Sequence, residues 1–501
     1  MTLAREQQVR NGALYVARLA LTSLLPLLVL PIFTRVLTRA DYGVLALVQV
    51  YAVFSSALAN LGLIVAFDRN FFEYDRTGER LALLSSVVMF VGMLAVIVGA
   101  GTYVLRGTLA GWVAQAREHG DLLFCAYWAA CIVSINEYYL THLRNSENAL
   151  AHVLFGVCES IVGVCASLVF VVFLRIGPMG LLLGQLTGAG VVLVAMTLFV
   201  FRAGRPRVGV AGLGACLRIG LPLTPRIFLG VVNNQFDKYM IGLLRAAGSV
   251  GFYSIGQMFA YAVFMFMTAL QNVFSPQVYQ RMFSLGDEGG KAVGRYLTPF
   301  AYMSVGSALL VVLFSEEVVT LLLPVSYHGS IEVAVLLACY YAVLFFGKQP
   351  QITYAKKTYI VPVLSVFSVS VNVSLNVFFI THWGAIGAAA ATLLAGVCST
   401  LVGFVVAQRC YRIDWEYASL VSMYAVLLLS MLCVLVTRFA AAPYAARLGL
   451  KSILLLSFVA MGIRRGILGK HSVELVRDSF LSGKRAGGAG VPGQVCSSKG
   501  E

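Results

Sequence analysis

Three properties of the sequence predict an all-α polytopic membrane protein of about 14 transmembrane helices: two parallel six-helix lobes plus two C-terminal helices. Of the 501 residues, 59% are hydrophobic and only 12% charged, against roughly 25% charged in soluble domains. The apolar residues gather into runs of about 20, enough to cross a hydrocarbon core of roughly 30 Å as a helix; a barrel would show short alternating segments instead. The net charge of +15 comes from Lys and Arg scattered between these runs. Scatter of this kind fits the positive-inside rule and excludes a nucleic-acid partner, which needs one basic patch. With a mean hydropathy of +0.85, a soluble enzyme is excluded too.

The first run, 12–33, follows Arg5 and Arg10 and continues with no small-residue cleavage site, so it reads as an uncleaved span. Five more occupy 43–66, 81–104, 122–141, 149–174 and 179–201. A second six occupy 217–241, 250–274, 297–315, 331–347, 359–380 and 384–407, and two follow at 417–437 and 448–463. With a cytoplasmic N-terminus, 25 Lys and Arg fall on the side of the termini, nine opposite and three within spans. Both termini are therefore expected in the cytoplasm.

An offset of 208 pairs Arg18, Gly43, Gln49 and Ala52 with Arg226, Gly251, Gln257 and Ala260, and an offset of 207 pairs Gly177 and Gly180 with Gly384 and Gly387. The repeat unit is six spans, an even number, so both copies share one orientation. Residues 1–201 are then the N-terminal lobe, 202–407 the C-terminal lobe and 408–463 two additional helices. The basic tail 464–501, rich in Gly and Ser, has too little apolar surface to fold alone and reads as disordered. Its cations either lie on anionic headgroups or form a solvated flank. Nine of ten cysteines lie in or beside apolar runs without CxxC or Cys/His spacing, so neither disulfides nor a metal site is expected.

Ionisable residues at membrane depth are costly and mark cavities or bundle interiors. Arg226 follows Pro222 and Pro225, which disturb helical hydrogen bonding; it either faces a cavity or snorkels to the headgroups. Asn233 and Asp237 share its helical face and Lys238 adjoins them, as a cavity-facing stripe or as interhelical bonds. Arg18, the repeat partner of Arg226, would complete a cationic floor for an anion such as a pyrophosphate. The acids Glu137, Glu159 and Asp237 are candidates for coupling to a proton or sodium gradient; Asn372 and Asn376 share a face and read as packing between helices. Motifs of nucleophilic, metal-dependent or P-loop catalysis are not evident, and the connections are too short for a catalytic domain, so no enzyme, cofactor or metal is expected.

Three stretches carry a resemblance. They are Leu30-Pro-Ile-Phe-Thr-Arg35 leading to Asp41-Tyr-Gly43, then Gly220-Leu-Pro222 with Asp237-Lys238, Gly251-Phe-Tyr253-Ser and Phe274-Ser-Pro276, and last Lys356-Lys357-Thr with Asn372, Leu375-Asn376 and Trp383-Gly-Ala-Ile-Gly-Ala-Ala389 up to Thr392. In this order they resemble the Wzx-type polysaccharide-export flippases of the MOP superfamily, related to MATE exporters and lipid II flippases. Trp383 and Lys238 depart from the commoner residues of that pattern. The resemblance implies two six-helix lobes around a central cavity that opens alternately to either side. The implied cargo is an undecaprenyl-pyrophosphate-linked oligosaccharide moved to the outer leaflet of a bacterial inner membrane, with Arg18 and Arg226 attracting its pyrophosphate or acidic sugars. Membrane lipids, a polysaccharide polymerase and a chain-length regulator are the implied partners. A MATE-like ion-coupled drug exporter, a lipid II flippase and a membrane polysaccharide polymerase are the alternatives.

Overall fold

The computed structural model of the protein describes residues 18, 21–202, 204, 210–347, 349–357 and 359–469. The expected tail falls outside these from residue 470 onward, as does the start of the first span. Among the described residues the regular structure is helical, without a strand. The first half holds α1 (Leu21–Val36), α2 (Arg39–Asn60), α3 (Leu63–Asn70), α4 (Thr77–Val113), α5 (Gly120–Asn145), α6 (Ala149–Leu168, continued by a π-turn over Val169–Phe173) and α7 (Pro178–Phe201). The second holds α8 (Val210–Leu244), α9 (Ala247–Leu285), α10 (Gly289–Leu322), α11 (Ser330–Val343), the short α12 (Pro350–Tyr354) and α13 (Ile360–Cys410). The last two are α14 (Tyr417–Phe439) and α15 (Tyr444–Arg464).

Ten of these helices are long and apolar enough to cross a bilayer, while α1 and α11 are apolar but shorter. Every expected span falls on one of these helices or on α5, and α13 carries two of them. Gly384 divides α13, with φ 57° and ψ −128°, and 207 positions earlier Gly177 takes φ 68° and ψ −145° between α6 and α7. Only glycine enters that region without strain. Several helices overrun the apolar runs, because main-chain helix bonds do not need apolar side chains. Thus α9 reaches Leu285 and α10 fills Gly289–Leu322. Pro222 and Pro225, expected to disturb α8, are accommodated within one continuous helix.

Local chemistry explains the first motif. Thr38 caps α2, with the Asp41 backbone N–H donating to Thr38 Oγ1 at 3.2 Å and the Thr38 N–H donating to Asp41 Oδ2 at 2.8 Å. This reciprocal box fixes a tight turn out of α1. Two residues on, Gly43 lets α9 approach: a Cβ there would overlap the Ala247 carbonyl oxygen. The contact is reciprocal, since a Cβ on Gly251 would overlap the carbonyl oxygen of Arg39.

In the first half α2, α4 and α7 each pack on α5, and α6 packs on α7; in the second, α9, α10 and α11 pack on one another, with α13 on α11 and α8. α2 joins the halves by lying against α8 and α9, and α14 and α15 lie against α10. Large apolar side chains remain exposed around the outside, Met89, Met93, Val96 and Ile97 on α4 among them. So wide an apolar surface needs lipid to cover it.

Candidate functional site

Residues of the second and third motif stretches converge on one carboxylate. Asp237 is buried near the end of α8. Its Oδ2 accepts from the Tyr253 hydroxyl at 2.7 Å and the Thr392 hydroxyl at 2.8 Å, and its Oδ1 accepts from Asn376 Nδ2 at 2.7 Å. The same Asn376 amide donates to Asn372 Oδ1 at 2.9 Å. Asn376 Oδ1 is itself buried without a hydrogen-bond partner. The acid is therefore ringed by neutral hydroxyls and an amide from α9 and both parts of α13, with no cation among its hydrogen-bond partners in the described residues. Neighbouring Lys238 donates to Gln235 Oε1 at 3.3 Å instead. Sequence reasoning saw Asp237 and the Asn372/Asn376 pair separately, because residues 139 positions apart share no periodicity.

The other predicted residues are dispersed. Arg18 Nη1 lies 2.7 Å from His152 Nε2, and His152 Nδ1 lies 2.9 Å from the Leu140 carbonyl. A guanidinium has donors only, so Nε2 is the acceptor and the proton sits on Nδ1. Arg18 also pairs with Glu137 at 3.5 Å, on a carboxylate that is about half exposed. A Cβ on Gly156 would overlap this guanidinium, so that glycine makes its space on α6. Arg226 is exposed and makes no ion pair or hydrogen bond with the described residues. Asn233 lies in α8, and its side chain is outside the described ones. Arg226 and Asp237 do share a helical face, yet only the latter is buried. The N-terminal part of α8 lies against α3 and α4, with Gly220 beside Leu63 and Gly212 beside Leu83, whereas Asp237 is enclosed by α9 and α13.

Lys238 and Glu159 both line one large cavity. It encloses about 970 Å³ and is walled by α1, α2, α6, α7 and α9, with Lys238 entering from α8. Its wall is mainly apolar, and Lys238 and Glu159 are its charged side chains. Arg18, Arg226, Asp237 and Glu137 lie outside the lining. Among the described residues no group of three or more His, Cys, Asp or Glu could hold a metal ion.

One polar cluster escaped sequence reasoning. Glu316 on α10 receives Lys451 at 2.7 Å and Arg438 at 3.2 Å, together with Arg447. Arg438 also reaches Glu332 on α11 at 2.9 Å, and Lys451 reaches Glu317 at 2.7 Å. These charges lie at the edges of apolar runs and read as loop residues; only the folded chain shows Glu316, Glu332 and Lys451 buried, and their partners half-buried, between α10, α11, α14 and α15.

A family model described as "Polysaccharide biosynthesis protein" matches residues 9–279. No curated protein matches the chain. Among solved structures, the lipid II flippase MurJ in an inward closed conformation aligns with a TM-score of 0.67 at 12% identity, covering 93% of this chain and 100% of that one. An inward-facing multidrug resistance MATE family transporter of the MOP superfamily aligns with a TM-score of 0.54 at 15% identity, covering 79% and 97%. An outward-facing one gives 0.52 at 16% identity, covering 81% and 95%. At such identities the likeness is one of fold, and that fold is the one the motifs had implied. With more than half of its length matched by the family model, this multi-pass membrane protein belongs to the polysaccharide biosynthesis protein family and has the fold of the MOP superfamily.

Proposed function

We propose that this protein flips an undecaprenyl-pyrophosphate-linked oligosaccharide from the cytoplasmic to the outer leaflet of a bacterial inner membrane, for surface polysaccharide synthesis. The observation that carries the reading is the cavity of about 970 Å³ between the two halves, in a chain of the polysaccharide biosynthesis family. Residues 1–201 and 202–407 act as two lobes that rock about this cavity, opening it alternately to either side, while 408–463 flank the second lobe. Both termini are cytoplasmic, in keeping with the excess of cations on their side. Arg18 and Arg226, equivalent in the two lobes, attract the pyrophosphate beside the cavity, and the prenyl tail stays in lipid.

Movement is driven by an ion gradient, and Asp237 is the coupling acid. A single buried carboxylate among neutral oxygens suits a proton or a sodium ion and is too weakly charged for a divalent cation, which takes several carboxylates. Glu159, facing the cavity, is the second candidate, whereas Glu137 is committed to Arg18.

The test is deletion of the gene, with assays of the surface polymer and of the sidedness of lipid-linked oligosaccharide in membrane vesicles. Loss of polymer with repeat units accumulating on the cytoplasmic leaflet supports the flippase. Short outer-leaflet units that fail to lengthen would indicate a polymerase, and unchanged polymer would overturn the reading in favour of a drug exporter.

A further inference from the structure

The charges and hydrogen-bonding groups of the cavity wall constrain what enters it. Lys238 and Glu159 are its one formal cation and one formal anion, so the wall has no excess of cations. A diphosphate brought into an apolar chamber would need several cations or aligned donors to replace its water, and this chamber offers one lysine. Uncharged hydrogen-bonding groups are better represented. Gln49 on α2, Gln185 on α7 and Gln257 on α9 all reach the cavity. Gln49 is exposed although the residues on either side, Val48 and Val50, are buried, and neither it nor Gln185 has a hydrogen-bond partner among the described residues. Ser254 also lines the cavity, and its hydroxyl is buried without a partner. Tyr261 adds a ring that is 44% exposed. An amide offers two donors and an acceptor with two lone pairs, the set that a sugar hydroxyl or acetamido group satisfies.

Resting on the flippase reading, we infer that the cavity takes the glycan part of the cargo, that this glycan is uncharged and bears hydroxyl or acetamido groups, and that Gln49, Gln185 and Gln257 select it. The pyrophosphate then stays outside the chamber. Gln49 and Gln257 are repeat partners on α2 and α9, the helices that cross at Gly43 and Gly251, so the cargo is held from both halves at once.

The experiment uses the full chain in lipid nanodiscs and three probes: a short-prenyl pyrophosphate bearing an N-acetylhexosamine trisaccharide, its counterpart with hexuronic acids, and the prenyl pyrophosphate alone, each titrated calorimetrically. The neutral glycan probe is expected to bind the tightest of the three. Gln49→Ala and Gln185→Ala should each weaken it by about fivefold, the equivalent of one hydrogen bond, and leave the sugar-free probe unaffected. Unchanged thermal unfolding of these variants excludes a folding defect. Tighter binding of the acidic glycan, or glutamine variants that bind the neutral one like the wild type, would overturn the inference and leave the flippase reading standing. Binding of none of the probes by the folded protein would remove both.

Discussion

Replacing Asp237 by Asn keeps the side chain's size but puts an NH2 where a carboxylate oxygen accepts from Tyr253, Thr392 or Asn376. Set at Oδ1, that NH2 faces the Asn376 amide donor in a buried place; set at Oδ2, it makes both hydroxyls turn and accept, and either arrangement costs about 1–3 kcal/mol. The expected result is a lower unfolding temperature in detergent together with loss of export. Tyr253→Phe removes one donor without opposing another, so it should cost about 1 kcal/mol and spare most export. Arg226→Ala makes the reverse case. Its guanidinium has no partner among the described residues, so the variant should unfold at the wild-type temperature yet lose surface polymer, with Arg226→Lys retaining part; normal polymer from the Ala variant would remove Arg226 from the mechanism. The stripe on α8 was legible at this scale because helical spacing is a property of the chain. Which of its members would be buried was not, since that depends on α9 and α13 closing over Asp237 and leaving Arg226 open.

Between elements, buried charge and close glycine contacts set the packing. Glu316 is 4% exposed and is shared by Lys451, Arg438 and Arg447. Glu316→Ala would leave the buried Lys451 ammonium to Glu317 alone and take from Arg447 its carboxylate, at a cost of about 3 kcal/mol, read as a drop in the unfolding temperature of the purified protein. A second test lies at the α2–α9 crossing. Gly43→Leu has no room for its side chain against the Ala247 backbone, so it should reduce the folded yield, whereas the same change at Gly101, which has open space around it, should be silent. The order of the spans followed from hydropathy alone, and the separate runs 359–380 and 384–407 anticipated the division of α13. The helix ends did not, because helices continue through polar residues once neighbours support them, as α9 does through Gln277 and Arg281. The Glu316 cluster stayed hidden for a related reason: a charge beside an apolar run looks like a loop until another helix covers it.

For the whole molecule, the proposed orientation makes a direct prediction. A reporter enzyme active only outside the cytoplasm should be silent when fused after Arg464 and active when fused between α14 and α15; the opposite pattern would invert the topology. The family was legible because its motifs hold structural duties spread over the chain, from the Thr38 cap to the Thr392 hydroxyl. The cavity wall was not, since Gln49, Gln185 and Gln257 come from three helices and no local pattern marks an amide as facing open space. Gln49 and Gln257 showed in the sequence only as matching members of the repeat.

The reciprocal contact of Gly43 and Gly251 sits four residues from the start of the 39-residue α9. At 1.5 Å per residue the helix beyond that point is a lever of about 51 Å, so a tilt of about ten degrees there would sweep its far end through about 9 Å. Backbone touching backbone is a suitable fulcrum, since no side chain has to change rotamer as the angle changes. A rotation small enough to preserve the glycine contact would thus be magnified, at the opposite end of α9, into an aperture wide enough for a sugar ring.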